Sequence, residues 1–192
     1  MDDGDFRPIS LTSCLSKVLQ DFVVTWLIDD VKDKIDPYQF GCLKGTSTTY
    51  CLLDMIPTWL THLDPPGRHL RLCFLDFSKA FDRIGYNVLI EKLLDLGVRT
   101  SLIPWIISFL SNRRQRVKLS GSFSDCFPIS AGIFQGKKLG PTLFLVMIND
   151  LNISDPESCT WKYVDDVTLP EGLVRNSNST IQTSLNTIAS WS

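Results

Sequence analysis

The chain has 192 residues, enough for one domain with a substantial core and too few for two comfortable ones. Hydrophobic residues make up 44% and charged residues 21%, which excludes a disordered tail. A net charge of −2 and a pI of about 5.6 run against a basic nucleic-acid binder, because phosphate neutralisation supplies most of the affinity of such proteins.

No apolar run is long enough to span a bilayer, and the acidic start Met1-Asp2-Asp3-Gly4-Asp5 has the wrong charge for a signal peptide. An intracellular chain without a membrane partner is expected, nuclear or cytoplasmic, with no targeting signal visible. A mean hydropathy of +0.07 suggests that some apolar surface packs against further parts of a longer protein. The six cysteines (Cys14, Cys42, Cys51, Cys73, Cys126 and Cys159) form no C-x-x-C pair, which argues against a zinc site or a disulfide framework. Most sit among apolar neighbours and read as small hydrophobes.

Along the chain, apolar residues from Leu11 to Leu27 recur at helical spacing and predict a helix over Ile9–Val31, capped by Ser10, Thr12 or Ser13. Gln39–Gly45 reads as loop or short strand. Thr46–Leu63 reads as a helix capped by Ser47 or Thr48, and Pro57 should kink or split it. Leu70–Leu75 is an apolar run that predicts a buried strand ending on Asp76. Helices are expected over Asn87–Leu96, stopped by Gly97, and over Ser101–Leu110, with Pro104 in its first turn. Arg113–Leu119 and Asp125–Ile129 flank Ser120-Gly121-Ser122 as a hairpin. Pro141–Leu151 reads as a helix, Thr160–Tyr163 and Val167–Leu169 as strands bracketing Asp165-Asp166, and Asn176–Ser192 as a modest helix. Helices and strands mix without regular βαβ alternation, which predicts an α+β fold with an antiparallel sheet.

Nucleotide transfer at two divalent ions needs two or three aspartates on rigid backbone, at strand ends or tight turns. Asp76 ends a strand, and Asp165 and Asp166 lie at a hairpin tip. If those strands are neighbours, Asp76 and Asp165 approach closely, and bound cations would relieve their repulsion. An Asp-Asp turn is also ordinary loop chemistry, and an Asp at a strand end often caps the next element. The acidic pattern by itself leaves both readings open.

Five segments in order narrow the choice: Phe6-Arg7-Pro8-Ile9-Ser10-Leu11 with Ser16-Lys17-Val18; Gln39-Phe40-Gly41-Cys42-Leu43-Lys44-Gly45-Thr46-Ser47-Thr48; Leu75-Asp76-Phe77-Ser78-Lys79-Ala80-Phe81-Asp82; Gly132-Ile133-Phe134-Gln135-Gly136-Lys137-Lys138-Leu139-Gly140-Pro141; and Tyr163-Val164-Asp165-Asp166. Together they resemble the reverse transcriptase domain of a non-LTR (LINE-type) retrotransposon, as two fingers motifs and palm motifs A, B and C. The resemblance implies a right-hand polymerase. Its fingers would be about 1–68 and 101–130, its palm about 69–100 and 131–192, with an antiparallel palm sheet flanked by helices and the thumb absent.

The resemblance further implies RNA-directed DNA polymerase activity. Asp76, Asp165 and Asp166 would be the catalytic, metal-binding carboxylates for two Mg2+ ions, with Mn2+ as a substitute. Phe77, Phe81, Gln135, Gly136 and Lys44 would contact the nucleotide. Phe81 falls at the family's steric gate against the sugar 2′-carbon, although an aromatic there also fits a plain core role. Arg113, Arg114 and Arg116 would track nucleic-acid phosphates, with a solvated hairpin as the equal alternative. The partners implied are an RNA template, a DNA primer and deoxynucleoside triphosphates.

The chain departs from the family pattern at Phe134, where proline is usual, at Lys137, where Ser or Thr is usual, and at Leu43, where many relatives carry Arg. It stops near where the family proceeds to its primer grip and thumb, and leaves no room for the endonuclease that precedes many such domains. Missing thumb and flanking parts that supply phosphate binding would reconcile the acidic charge with a polymerase, and little processive synthesis is expected from 192 residues alone. The competing readings are an inactive relic that at most binds nucleic acid, and an RNA-directed RNA polymerase, which Phe81 and Tyr163 disfavour.

Overall fold

The computed structural model describes residues 13–133, 138–153 and 159–191. Along this chain run α1 (Cys14–Val31), α2 (Thr48–Leu63), β1 (Arg68–Asp76), α3 (Tyr86–Asp95), α4 (Ile103–Leu110) and the short strands β2 (Arg113–Gln115), β3 (Lys118–Leu119), β4 (Ser122–Phe123) and β5 (Phe127–Ile129). There follow α5 (Leu139–Ile148), β6 (Trp161–Tyr163), β7 (Asp166–Val174) and α6 (Ile181–Trp191). Every strand pairing within the sheets is antiparallel, and helices are interspersed, so the α+β expectation holds. The chain gathers into two units, residues 1–34 with 79–147 and residues 35–78 with 148–192. Among the described residues no helix is long and apolar enough to cross a membrane.

The second unit is built on a three-stranded sheet in the order β1-β7-β6. Register runs from Arg68 opposite Val174 to Asp76 opposite Asp166, and from Trp161 opposite Thr168 to Tyr163 opposite Asp166. Because opposite residues share a face, Asp76, Asp166 and Tyr163 form one row across all three strands. Trp161, on that same face, packs against Cys51 and Met55 of α2, and its indole N–H donates to Asp54 at 2.7 Å. α2 begins at Ser47, whose hydroxyl accepts from the Tyr50 N–H, and passes through Pro57 unbroken. Pro170 stands within β7, beyond the stretch paired to β6, so its missing N–H leaves no ladder bond unmade on that side.

The first unit buries Val23, Leu27 and Val31 of α1, Leu89 and Leu93 of α3, Ile103, Ile106 and Leu110 of α4, and most of α5. Asp30 holds the Arg99 guanidinium through both of its oxygens, which keeps the Asp30 carboxyl below its ordinary range. The basic hairpin forms as expected, but in two pieces: Arg113–Gln115 pairs with Phe127–Ile129, and Lys118–Leu119 with Ser122–Phe123. Ser120 at φ 48° and Gly121 at φ 86° make the tight turn.

Two expectations are corrected, one for β1 and one for the cysteines. β1 is not a buried strand: every residue in it is exposed or half-buried, and Phe74 is 70% exposed, because β1 lies at the edge of its sheet. The helix α1 forms as its spacing predicts, but its apolar residues do not all pack. Val23 and Leu27 are buried, whereas Leu15, Val18, Leu19, Phe22 and Trp26 are exposed, so the apolar sector is wider than the face that packs. Of the six cysteines, all free, only Cys51 is buried, while Cys14, Cys42 and Cys126 are exposed.

Glu171 ties β7 to α6. Its buried carboxylate accepts from the backbone N–H groups of Thr180 and Ile181 at the helix N-terminus, from the Ser179 hydroxyl at 2.7 Å and from Arg71 at 3.3 Å. Burial pushes its pKa up, but the hydrogen bonds outweigh burial and hold it below the ordinary glutamate value. A depressed folded pKa stabilises the fold above the unfolded pKa, and that stability is lost as pH falls through the folded value. Glu171→Gln is therefore expected to lower stability by about 2 kcal/mol at neutral pH. In urea melts the gap from wild type should shrink below about pH 4.5.

Candidate active site

The site is built on the hairpin that joins β6 to β7. Tyr163 and Asp166 close it as opposed residues, and Val164 and Asp165 are its two-residue turn. The tip is thus Val164-Asp165, and Asp166 is the first residue of β7. This register, together with that of β1, sets Asp166 directly opposite Asp76. Like charges placed directly opposite across strands destabilise a sheet. Neither Asp76 nor Asp166 is ion-paired among the described residues, and both are exposed. Asp165 stands half-buried on the adjoining turn.

An opposed pair of carboxylates suits a hard cation such as magnesium, which commonly takes one or two carboxylates and completes its shell with phosphate and water. The residues therefore fit the implied ion. Among the described residues no group of three or more His, Cys, Asp or Glu side chains converges as a closed metal centre would. Cys42 lies close enough to feel the turn: burial, then the Asp165 carboxylate, pushes its thiol pKa up and keeps it protonated.

The turn is braced from the segment Asp36–Gly41. Phe40 donates its N–H to the Lys162 carbonyl at 2.8 Å, and Lys162 donates its own N–H to the Tyr38 carbonyl at 2.9 Å. The segment thus adds a short parallel pairing to β6 at Gln39. Gln39, buried, accepts from the N–H groups of Gly41 at 2.9 Å and Val164 at 3.1 Å. Lys162, two residues before the turn tip, is fully buried. Its ammonium meets the Asp36 carboxylate at 2.5 Å and the carbonyls of Ile148 and Leu151 at 3.3 and 2.9 Å. Gln39, Asp36 and Lys162 were not singled out from the sequence. Gln39 and Gly41 lie in the second fingers motif, which was the one available signal; a buried lysine between two aromatics gives none.

The remaining expected contacts are placed as follows. The Phe77 ring lies 5.9 Å from that of Trp191 on α6. Phe81 stacks on Phe144 of α5 with ring centroids 4.6 Å apart, and its carbonyl accepts from the Ile133 N–H. Lys44 is exposed. Gln135 and Gly136, with Phe134 and Lys137, lie outside the described residues, as does the first fingers segment Phe6–Leu11. Arg113 is half-buried with its guanidinium 4.7 Å from the Phe109 ring centre, and burial pushes its pKa down. Arg114 donates to the Cys126 carbonyl at 3.0 Å, and Arg116 lies 4.1 Å over the exposed Phe123 ring.

An antiparallel sheet ending in opposed aspartates beside an acidic two-residue turn is the architecture of a right-hand polymerase palm. A family profile described as reverse transcriptase (RNA-dependent DNA polymerase) matches residues 2–192, and the chain belongs to that family. It is 29% identical over 97% of its length to the probable RNA-directed DNA polymerase from transposon BS of Drosophila melanogaster, and covers 22% of that protein. It is 31% identical over 81% of its length to the RNA-directed DNA polymerase from mobile element jockey of the same species, covering 17% of it. The resemblance to non-LTR retrotransposon polymerases drawn from the five motifs is thereby borne out, and the chain spans about a fifth of the length of these curated relatives. Among solved structures it shares the fold of telomerase from Candida tropicalis in complex with a TWJ fragment of telomeric RNA, with a TM-score of 0.64 and 15% identity over 92% of this chain and 31% of that one. The corresponding Candida albicans complex gives a TM-score of 0.62 and 17% identity over 92% of this chain and 32% of that one.

Proposed function

We propose that the chain is the catalytic part of an RNA-directed DNA polymerase. On an RNA template the primer 3′-hydroxyl attacks the α-phosphate of a deoxynucleoside triphosphate. The new oxygen–phosphorus bond forms as the α–β phosphoanhydride breaks, and pyrophosphate leaves. No covalent enzyme intermediate is required. The observation that carries the reading is the opposition of Asp76 and Asp166 at the end of the sheet, with Asp165 on the adjoining turn.

In this reading Asp76, Asp165 and Asp166 hold two magnesium ions, or manganese in their place. Such ions supply a more acidic primer hydroxyl and charge neutralisation on the triphosphate. The chain's own carboxylates fix where those charges are met, on strand and turn backbone that does not reorganise during reaction. Phe77, Phe81, Gln135, Gly136 and Lys44 are proposed to line the nucleotide. Arg114 and Arg116 face template phosphates, with Arg113, half-buried against Phe109, shaping the hairpin that carries them. Residues of about 1–68 and 101–130 are read as fingers, and about 69–100 and 131–192 as palm.

RNA-templated primer extension with deoxynucleotide and ribonucleotide substrates tests the function and the gate together. Wild type, carried within a longer protein that also supplies a primer grip, is expected to extend with deoxynucleotides. Phe81→Val is expected to raise the relative use of ribonucleotides about tenfold or more, since the ring is the proposed obstacle to a 2′-hydroxyl. That ratio is independent of any overall activity lost through the Phe144 stack. A ratio unchanged by the substitution would leave Phe81 as a core aromatic, and absence of templated, metal-dependent extension would remove the polymerase reading.

A further inference from the structure

The turn that presents Asp165 is held in a conformation its own sequence disfavours. Val164 sits at φ 60°, where a β-branched side chain crowds the backbone. A two-residue hairpin turn with positive φ at its first central position is ordinarily supplied with glycine or asparagine. Tyr163-Val164-Asp165-Asp166 offers neither, so the conformation must be imposed from outside the turn. Gln39 is placed to impose it. The residue is 3% exposed, and Oε1 lies 3.1 Å from the Val164 nitrogen and 2.9 Å from that of Gly41. Two converging N–H donors define which end of the amide is the oxygen. Nε2 is buried without a hydrogen-bond partner, so the acceptor end alone accounts for the side-chain hydrogen bonds of Gln39.

The approach is as close as a backbone allows. A Cβ on Gly41 would fall 2.4 Å from both the Val164 nitrogen and its Cγ2, and 3.0 Å from the Tyr163 carbonyl carbon. Only glycine brings this segment near enough for the Gln39 amide to reach across. The segment is in turn pinned to β6 by the two backbone bonds between Tyr38, Phe40 and Lys162, so the acceptor stands on fixed backbone.

We propose that Gln39 is a positioning residue for polymerisation: its carboxamide oxygen holds Val164 in the left-handed conformation and thereby sets where the Asp165 carboxylate stands, with Gly41 permitting the approach. This rests on the reading of Asp76, Asp165 and Asp166 as the catalytic carboxylates. Without the acceptor, Val164 relaxes toward negative φ and the tip residue Asp165 swings with it.

The test combines amide exchange with a rescue. Gln39→Met keeps the side-chain length and removes the acceptor. The Val164 amide is expected to exchange slowly in the wild-type chain and at least about tenfold faster in Gln39→Met. Turnover in RNA-templated extension should fall about 10²-fold with KM for the primer–template unchanged, the scale of a misplacement near 1 Å. Adding Val164→Gly, which adopts positive φ freely, should recover about tenfold of that loss. A merely structural role for Gln39 gives no such rescue. If Gln39→Met does not fold, Gln39→Asn, which withdraws the acceptor by one methylene, gives the same comparison. A Val164 amide that exchanges equally fast with and without the acceptor overturns the proposal, as does a failed rescue while Asp165→Asn remains inactive. Full activity in Asp165→Asn overturns the catalytic reading instead, whatever the amide exchange.

Discussion

Asp165→Asn is expected to reduce RNA-templated primer extension by at least about 10³-fold while leaving the fold intact, a loss of roughly 4 kcal/mol in the transition state. The substitution keeps the side-chain shape and withdraws one negative charge from a half-buried turn beside Asp76 and Asp166. Asparagine keeps a side-chain oxygen acceptor for the contacts Asp165 makes, and one charge fewer stands beside the opposed Asp76 and Asp166. Melting should therefore stay within about 0.5 kcal/mol of wild type, or rise slightly. Asp76→Asn should behave alike, because it removes the partner that the sheet register sets opposite Asp166. Steady-state extension beside a urea melt of the same preparations separates the two quantities. Unchanged extension by Asp165→Asn would mean that the acidic turn is ordinary loop chemistry.

The largest expected effect on stability lies two residues before the turn tip. Lys162→Met should destabilise the chain by about 3–5 kcal/mol, the range for breaking a buried ion pair from one side. Lys162 is fully buried and Asp36 is 6% exposed at the side chain, so the variant leaves a carboxylate inside the protein with its cation gone. The carbonyls of Ile148 and Leu151 also lose their donor. Asp36→Leu should be comparably severe, for it strands the ammonium. The double variant Asp36→Leu/Lys162→Met is expected to fall short of the summed losses by at least about 1 kcal/mol, since neither charge is then left alone. Additive losses in denaturant melts would show that the two groups act independently.

What the sequence made legible follows from which signals are local. Helix starts were readable because caps are short-range: Ser13 accepts from the Ser16 N–H and Ser47 from that of Tyr50. The hairpin turn at Ser120-Gly121 was readable for the same reason. Asp76 and the acidic turn were legible as chemistry, since acidic residues interrupting apolar strands demand an explanation. Their pairing was less so. A shift of register by one residue would put Asp76 on the opposite face from Asp166, and only the observed pairing sets it across from Asp166 rather than from the tip residue Asp165.

Burial was the least legible property. The apolar residues of α1 recur at helical spacing in sequence, but only one face finds a packing surface. In β1 the apolar run does not signal burial, because an edge strand has one side unpaired. Lys162 errs in the opposite sense: a charged residue that sequence reasoning assigns to solvent is among the most buried side chains, made tolerable by Asp36, 126 positions earlier in the chain. Gln39 was quoted only as part of a motif, because its role depends on Val164, which lies 125 residues away.

The central claim is that Asp76 and Asp166, opposed across β1 and β7, form with the turn at Asp165 a site for divalent cations. Manganese binding to the purified chain, followed by the loss of the free Mn2+ electron paramagnetic resonance signal on titration, tests it most directly. Saturable binding is expected for wild type, weakened at least about tenfold by Asp76→Asn and by Asp166→Asn, as loss of one carboxylate from a small oxygen donor set requires. Binding that is absent, or equally strong after both substitutions, would contradict it.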